Sequence, residues 1–292
     1  MKLLVAFGLI FVLVLMVMGC GRENPVVSYP IPATPQGVYS VTGDRAVYIY
    51  FNGPYESDID HYLIWRSAEA LANYREIGRV AADPNPNLDL IHYEYVDHAV
   101  SNGSTYYYAV TAVNKAGQES ELSAEKVFDT PRPEGTVRLY PVQADSTLAG
   151  FSFADSSRVR WNSPAADVYV DVFRATLYLN VADTMTDIQD VGYRDTLNRA
   201  FDDVSYAPVN GWSKLGFVEL IKGHTYVIWT RDDHYAKVRV KEMLSSGPVT
   251  FQWAYQTSKG NPELAPASNP QKKPIHGAGY LRGANTETIS SQ

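Results

Sequence analysis

Between Pro35 and Pro131 apolar and polar positions alternate in short runs. Val47, Ile49 and Phe51 alternate with Tyr48 and Tyr50, and Tyr62, Ile64 and Arg66 alternate with Leu63 and Trp65. Tyr106, Tyr108, Val110 and Ala112 share one face of a longer run. A period of two marks half-buried strands, because successive side chains point to opposite faces of a sheet. Turn formers separate the runs at Gly43-Asp44, Asn52-Gly53-Pro54, Asp83-Pro84-Asn85-Pro86, Asn102-Gly103 and Ala116-Gly117. Short strands and regular turns over about 100 residues predict a β-sandwich. Its predicted core holds Phe51, Tyr62, Ile64, Tyr108 and Val110.

The segment Pro131-Arg132-Pro133-Glu134-Gly135 then reads as a short joint between two domains. Beyond it the chain is again β-rich but differently spaced. Val168–Phe173 and Ala175–Asn180 are two strand-like runs, and Thr225–Thr230 meets Tyr235–Val240 across Arg231-Asp232-Asp233-His234, a hairpin by its alternation and turn chemistry. Val249–Gln256 is the next strand. From Val181 to Gly211 the chain is polar, with Asp183, Asp187, Asp190, Asp195, Asp202 and Asp203, and a long, partly irregular or helical excursion is expected. The chain thus divides into a first β-domain at 35–132, a second at 133–262, and a disordered tail at 263–292 rich in Pro, Gly, Asn, Ser and Thr.

The start of the chain has a different pattern. Lys2 is followed by an apolar run from Leu3 to Met18 and then by Gly19-Cys20. A basic start, an apolar stretch and small residues before a cut site make an export signal, expected at 1–19. With cysteine at the cut, the motif resembles the lipobox of bacterial lipoproteins. That resemblance implies a diacylated Cys20, cleavage before it and a membrane anchor. Gly21 in place of Asp implies, by the same resemblance, the outer membrane. Residues 20–34 carry three prolines without periodicity and read as a lipidated tether.

The first β-domain resembles fibronectin type III domains. The match lies in Ser57–Ser67, in Val96-Asp97, in Asn102–Asn114 and in Gly117, Ser120 and Ser123. Tyr106 stands at the family's tyrosine corner, whose hydroxyl bonds back to the backbone, and Phe51 replaces the usual core tryptophan. Such a module implies a spacer or a docking surface. The second domain is similar to the HmuY-like family of secreted and surface β-proteins, whose founding members bind haem. The similarity is carried by Phe151-Ser152-Phe153, by Ala166–Arg174 with Leu177–Asn180, by Gly223–Thr230 running into His234–Val240, and by Val249–Gln256. Ala166-Asp167 stands where that family has Trp-Asp.

Composition narrows the chemistry. Cys20 is the only cysteine, so a lipidated chain has no disulfide and no thiolate site. The formal net charge is -7 with no basic block, which argues against nucleic acid as a partner. No Gly-x-Ser-x-Gly, His-Glu-x-x-His or phosphate-cradling glycine loop is present. His61, His92 and His98 have no spacing that marks a shared metal site. The sequence therefore reads as a non-catalytic, lipid-anchored envelope protein, with a small molecule, a protein or a glycan as its ligand. The resemblance to HmuY-like proteins implies haem as an alternative, with His224 and His234 as candidate ligands. His224, at a strand mouth, is the better candidate, and His234 stands at a turn tip that should face water, with Tyr226, Trp229 and Trp253 as flat neighbours or as core. A component acting on extracellular polymers is a further alternative.

Overall fold

The computed structural model describes residues 30–83, 92–192 and 201–265. Cys20 with its signal, the tether up to 29, the turn at 84–86, Asp195 and the tail from 266 lie outside the described residues. Every regular element among the described residues is a β-strand. No described helix is long and apolar enough to cross a membrane.

The first seven strands are β1 (Gln36–Gly43), β2 (Ala46–Asn52), β3 (Ile59–Ser67), β4 (Arg75–Ala81), β5 (His92–Asp97), β6 (Tyr106–Asn114) and β7 (Val127–Asp129). They form two antiparallel sheets in the orders β1-β2-β5 and β4-β3-β6-β7, an Fn3-like sandwich. Alternation decides what lies inside: Val47, Ile49 and Phe51 of β2 face Tyr62 and Ile64 of β3 and Tyr108, Val110 and Ala112 of β6. All five expected core side chains are buried, Phe51 at 1% exposure. The Phe51 ring meets Tyr62 edge-on at 5.1 Å and stacks on Tyr93 at 5.4 Å, so the phenyl ring fills its site with aromatic neighbours.

A polar clamp joins the two sheets. Asp97, at the end of β5, is buried and accepts from Arg66 Nη1 at 2.8 Å and from the Tyr108 hydroxyl at 3.1 Å. Charge-assisted bonds of this kind satisfy a carboxylate that burial would otherwise penalise. Next to it the Tyr106 hydroxyl accepts the Ser101 N–H at 3.1 Å, which is the corner its position implied.

The remaining strands are β8 (Glu134–Leu139), β9 (Gly150–Ser152), β10 (Ser157–Val159), β11 (Val168–Phe173), β12 (Thr176–Val181), β13 (Asp187–Gly192), β14 (Phe217–Glu219), β15 (Thr225–Trp229), β16 (Tyr235–Met243) and β17 (Val249–Gln256). They make two five-stranded sheets, β10-β9-β11-β12-β14 and β13-β15-β16-β17-β8. Between these lies the larger core, with Phe151, Val168, Val170, Leu177 and Leu179 of one sheet against Tyr226, Ile228, Val238, Phe251 and Trp253 of the other. Tyr226 repeats the corner device: its hydroxyl accepts the Ile221 N–H at 2.8 Å and donates to the Glu219 carbonyl at 2.9 Å.

The joint between the two sandwiches is buried. Arg132 is 1% exposed; its backbone N–H donates to the Gly43 carbonyl at 3.2 Å, its Nε to the Leu264 carbonyl and its Nη1 to Glu134. Ordered structure also runs past the expected end at 262, because Leu264 and Ala265 are buried. They pack there because the chain after Pro262 pairs with residues 205–207: Ala207 N–H donates to the Pro262 carbonyl and Leu264 N–H to that of Ser205. The excursion from Val181 contributes β13 and irregular chain, with no helix among its described residues.

Truncating Phe51 removes a buried ring from the centre of this packing. Phe51→Ala should lower unfolding free energy by about 3–5 kcal/mol, measured by denaturant titration of the first sandwich's fluorescence transition. A loss below about 1 kcal/mol would show that this core does not depend on the ring.

Candidate functional site

The second sandwich has two outer faces, and the chain treats them differently. On one sheet, β15 and the start of β16 are buried on both faces. Outward-pointing Val227, Trp229 and Tyr235 pack beneath Val204, Ala207 and Leu264. Lys237, also outward, is completely buried; its Nζ donates to the carbonyls of Phe201 and Val204 and lies 4.1 Å from the centroid of the Phe201 ring. Burial, then the neighbouring Arg132, hold its amine well below the usual lysine range.

The other sheet presents its outer face differently. Val168, Val170, Leu177 and Leu179 point inward, so Tyr169, Asp171, Tyr178 and Asn180 point out. Tyr169, Asn180 and Phe217 are successive partners across β11, β12 and β14 and form one straight row. Asp171, Tyr178 and Glu219 form the next. Trp161 extends the first row, its ring 5.3 Å from Tyr169, while Tyr178 meets Phe217 edge-on at 5.4 Å. Trp161, Tyr169, Tyr178 and Asn180 are half-buried and Phe217 is 37% exposed.

A groove of about 570 Å³ opens beside this row, lined by Tyr169, Asn180, Phe217 and the loops 181–187 and 213–216. That is the size of small-ligand sites. Its walls are preordered. Asp183 accepts from the N–H groups of Met185 and Thr186 at 2.7 and 2.9 Å, and from Arg231 Nε at 2.9 Å. On the facing wall Ser213 donates its hydroxyl to the Phe217 carbonyl, and Val181 N–H donates to that of Gly216, whose φ of +70° suits glycine. A second concavity of about 510 Å³ lies at the opposite edge, between Arg138 of β8 and Arg158 of β10.

The two candidate histidines are not brought together. His224 precedes β15 and bonds backbone-to-backbone with Val240, whereas His234 faces Thr230 at the far end of the same hairpin. Six residues of extended strand separate these levels, about 20 Å. Each ring has its own carboxylate: His224 Nδ1 is 3.0 Å from Asp190, and His234 Nδ1 is 3.2 Å from Asp232. His234 is not a water-facing turn tip; its side chain is 18% exposed and packs 5.6 Å from the Tyr255 ring. Tyr226, Trp229 and Trp253 are all buried, so none offers an open flat face. A haem held between these two histidines does not fit this geometry. No group of three or more metal-binding side chains occurs among the described residues.

Arg231 links the groove to the sandwich interior. Besides Asp183 it reaches the carbonyls of Pro164 and Ala166 and stands 3.7 Å from Asp167. Asp167 also accepts the Phe153 N–H at 2.8 Å. Burial nevertheless pushes its carboxyl up to about 6, against those two attractions.

No protein-family model matches the chain. A search of curated proteins found no match. Among solved structures, an Fn3-like protein from Clostridium thermocellum is 25% identical over 36% of this chain and 100% of its own, with a TM-score of 0.28. A DUF4466 family protein from Parabacteroides merdae is 12% identical over 80% of this chain and 95% of its own, with a TM-score of 0.40. The FN1–FN3 domains of chicken CNTN1 are 14% identical, covering 77% of this chain and 65% of that one, with a TM-score of 0.32.

A carboxyl raised from 3.8 to about 6 by folding stabilises the protein below pH 4, and that contribution is lost as pH rises through 6. Asp167→Asn removes the titration. The wild type should lose up to ~3 kcal/mol relative to the variant between pH 4 and pH 7, read from denaturation midpoints across that range. A difference that does not change with pH would show that Asp167 is ionised throughout.

Proposed function

We propose that the chain is an exported, lipid-anchored envelope protein without catalytic activity, whose first sandwich is a spacer and whose second carries the ligand site. The observation behind this reading is the asymmetry of the second sandwich: the outer face over β15 and the start of β16 is covered by the chain itself, while the other sheet presents aromatic rings, an amide and a preordered groove. The groove is lined by polar groups, Asn180, Asp183, Thr184, Thr186 and Ser213 among them, with the rings of Tyr169 and Phe217 at its side. Anchoring rests on the Leu3–Met18 run and Cys20. Two or more acyl chains hold a protein stably at a membrane, where one does not. The outer membrane follows from Gly21 on the same resemblance.

The anchor has a direct check. Cells fed a radiolabelled fatty acid should label the wild-type chain, and Cys20→Ala should abolish the label and release the chain from the outer-membrane fraction. Label retained in the variant would remove the lipoprotein reading.

Haem is the weaker ligand. It would rest on His224 alone, whose Nδ1 faces Asp190 and leaves Nε2 for another partner. Haemin mixed with the full-length chain in mild detergent should keep the broad absorption of free haemin. A sharpened, red-shifted Soret band that His224→Ala abolishes would make haem the ligand instead.

A further inference from the structure

We propose that the row Trp161, Tyr169, Asn180 and Phe217, with the groove beside it, binds a linear, uncharged, β-linked polysaccharide chain. This rests on reading the second sandwich as the binding head, and it names the ligand of that site.

The first argument is geometric. Tyr169, Asn180 and Phe217 are cross-strand partners on three adjacent strands, so ring, amide and ring lie in one line perpendicular to the strands. Neighbouring strands are about 4.8 Å apart, so Tyr169 and Phe217 rise from backbone positions about 9.6 Å apart with Asn180 midway. Two units of an extended β-1,4-linked sugar chain span the same distance. Each unit has an apolar C–H face, which packs against an aromatic ring, and a rim of hydroxyls, which needs donors and acceptors. Asn180 supplies both, and the Asp171 carboxylate in the next row accepts. Trp161, 5.3 Å from Tyr169, extends the platform by one more ring.

The second argument is charge. Asp183 in the groove wall is paired with Arg231 at 2.9 Å. The other charged residues lining the groove, Asp187 and Lys214, are opposite in sign. The groove itself is therefore balanced, and the carboxylates of the next row, Asp171 and Glu219, would repel a phosphate or a polyanion, so the site suits a neutral ligand. The third argument concerns shape. The edge strand β14 has only three residues, too short a template for an added peptide strand, so the recognition surface is the face and not the edge. The walls are fixed before binding by the hydrogen bonds of Asp183 and Ser213, so little ordering entropy opposes a weak, multi-contact ligand.

The test is affinity electrophoresis of the full-length chain in mild detergent, in native gels containing hydroxyethyl cellulose, galactomannan, arabinoxylan, soluble β-1,3-glucan or amylose. At least one β-linked polymer should retard the chain. Tyr169→Ala and Phe217→Ala should each weaken retardation at least tenfold, and Tyr169→Phe should retain it. Arg158→Ala, in the other concavity, should leave it unchanged. Far-ultraviolet circular dichroism and melting curves confirm that each variant folds, which surface positions of this exposure should allow. Retardation by no polymer would overturn the proposal, and so would retardation that the ring variants leave intact. If no polymer binds, but haemin or a co-purifying envelope protein binds and is lost in the ring variants, the saccharide is wrong and the binding head stands. If nothing engages these residues, both fall.

Discussion

The structure turns on burying one guanidinium and one amine where the two sandwiches meet. Arg132 is 1% exposed and Lys237 is wholly buried beside it, so the donors of each require oxygen partners. Arg132 finds them in Leu264 and Glu134, and Lys237 in the carbonyls of Phe201 and Val204. Apart from Glu134 of β8, those partners belong to the irregular segment from 201 and to the chain after 261. Neither segment has a regular element to hold it, and no disulfide can, because the chain has one cysteine. The buried donors fix both segments in place, and the backbone bonds between Ala207 and Pro262 and between Leu264 and Ser205 tie them to each other. The outer face over β15 and the start of β16 is covered as a result, while Tyr169, Tyr178 and Asn180 on the other sheet carry no such cover among the described residues.

Alternation made much of the fold readable. In β2 the period of two sorts residues cleanly into core and surface, because that strand has one wet face, whereas β3 and β6 keep their core side by the same period and are covered on part of the second face too. The same reading found the β15–β16 hairpin and β17 but misjudged their surroundings. Thr225 to Trp229 is apolar on both faces, which a sequence alone cannot distinguish from a strand in a wide core. Only the long-range cover over Val227 and Trp229 explains it. The signal that could have exposed the cover was Lys237, a charge in the alternating run Tyr235–Val240 whose same-face neighbours Tyr235 and Val227 are apolar and buried.

The histidines drew attention because haem chemistry needs them, yet the hairpin places them at opposite ends and gives each a carboxylate. Residue type was the wrong guide here, and strand register the right one. Tyr169 and Asn180 were each legible as outward positions of β11 and β12. What the sequence could not show is that these two strands pair in the register that aligns them, or that Phe217, more than thirty residues on, completes the row. A binding face made from partners on three strands has no local motif, since its order exists only across hydrogen-bonded neighbours.

The raised carboxyl of Asp167 ties this face to the interior. Arg231 is shared between Asp183 in the groove wall and Asp167 in the buried layer, and it also holds the carbonyls of Pro164 and Ala166. One guanidinium thus serves two segments, 164–167 and the loop at Asp183, which its planar fork of five donors permits and a lysine would not. When Asp167 is protonated its repulsion of Asp183 is relieved, while Arg231 still has Asp183 and the two carbonyls as acceptors. The groove wall is therefore tied to the interior in either state of the buried carboxyl, because three of the acceptors that hold the guanidinium do not depend on it.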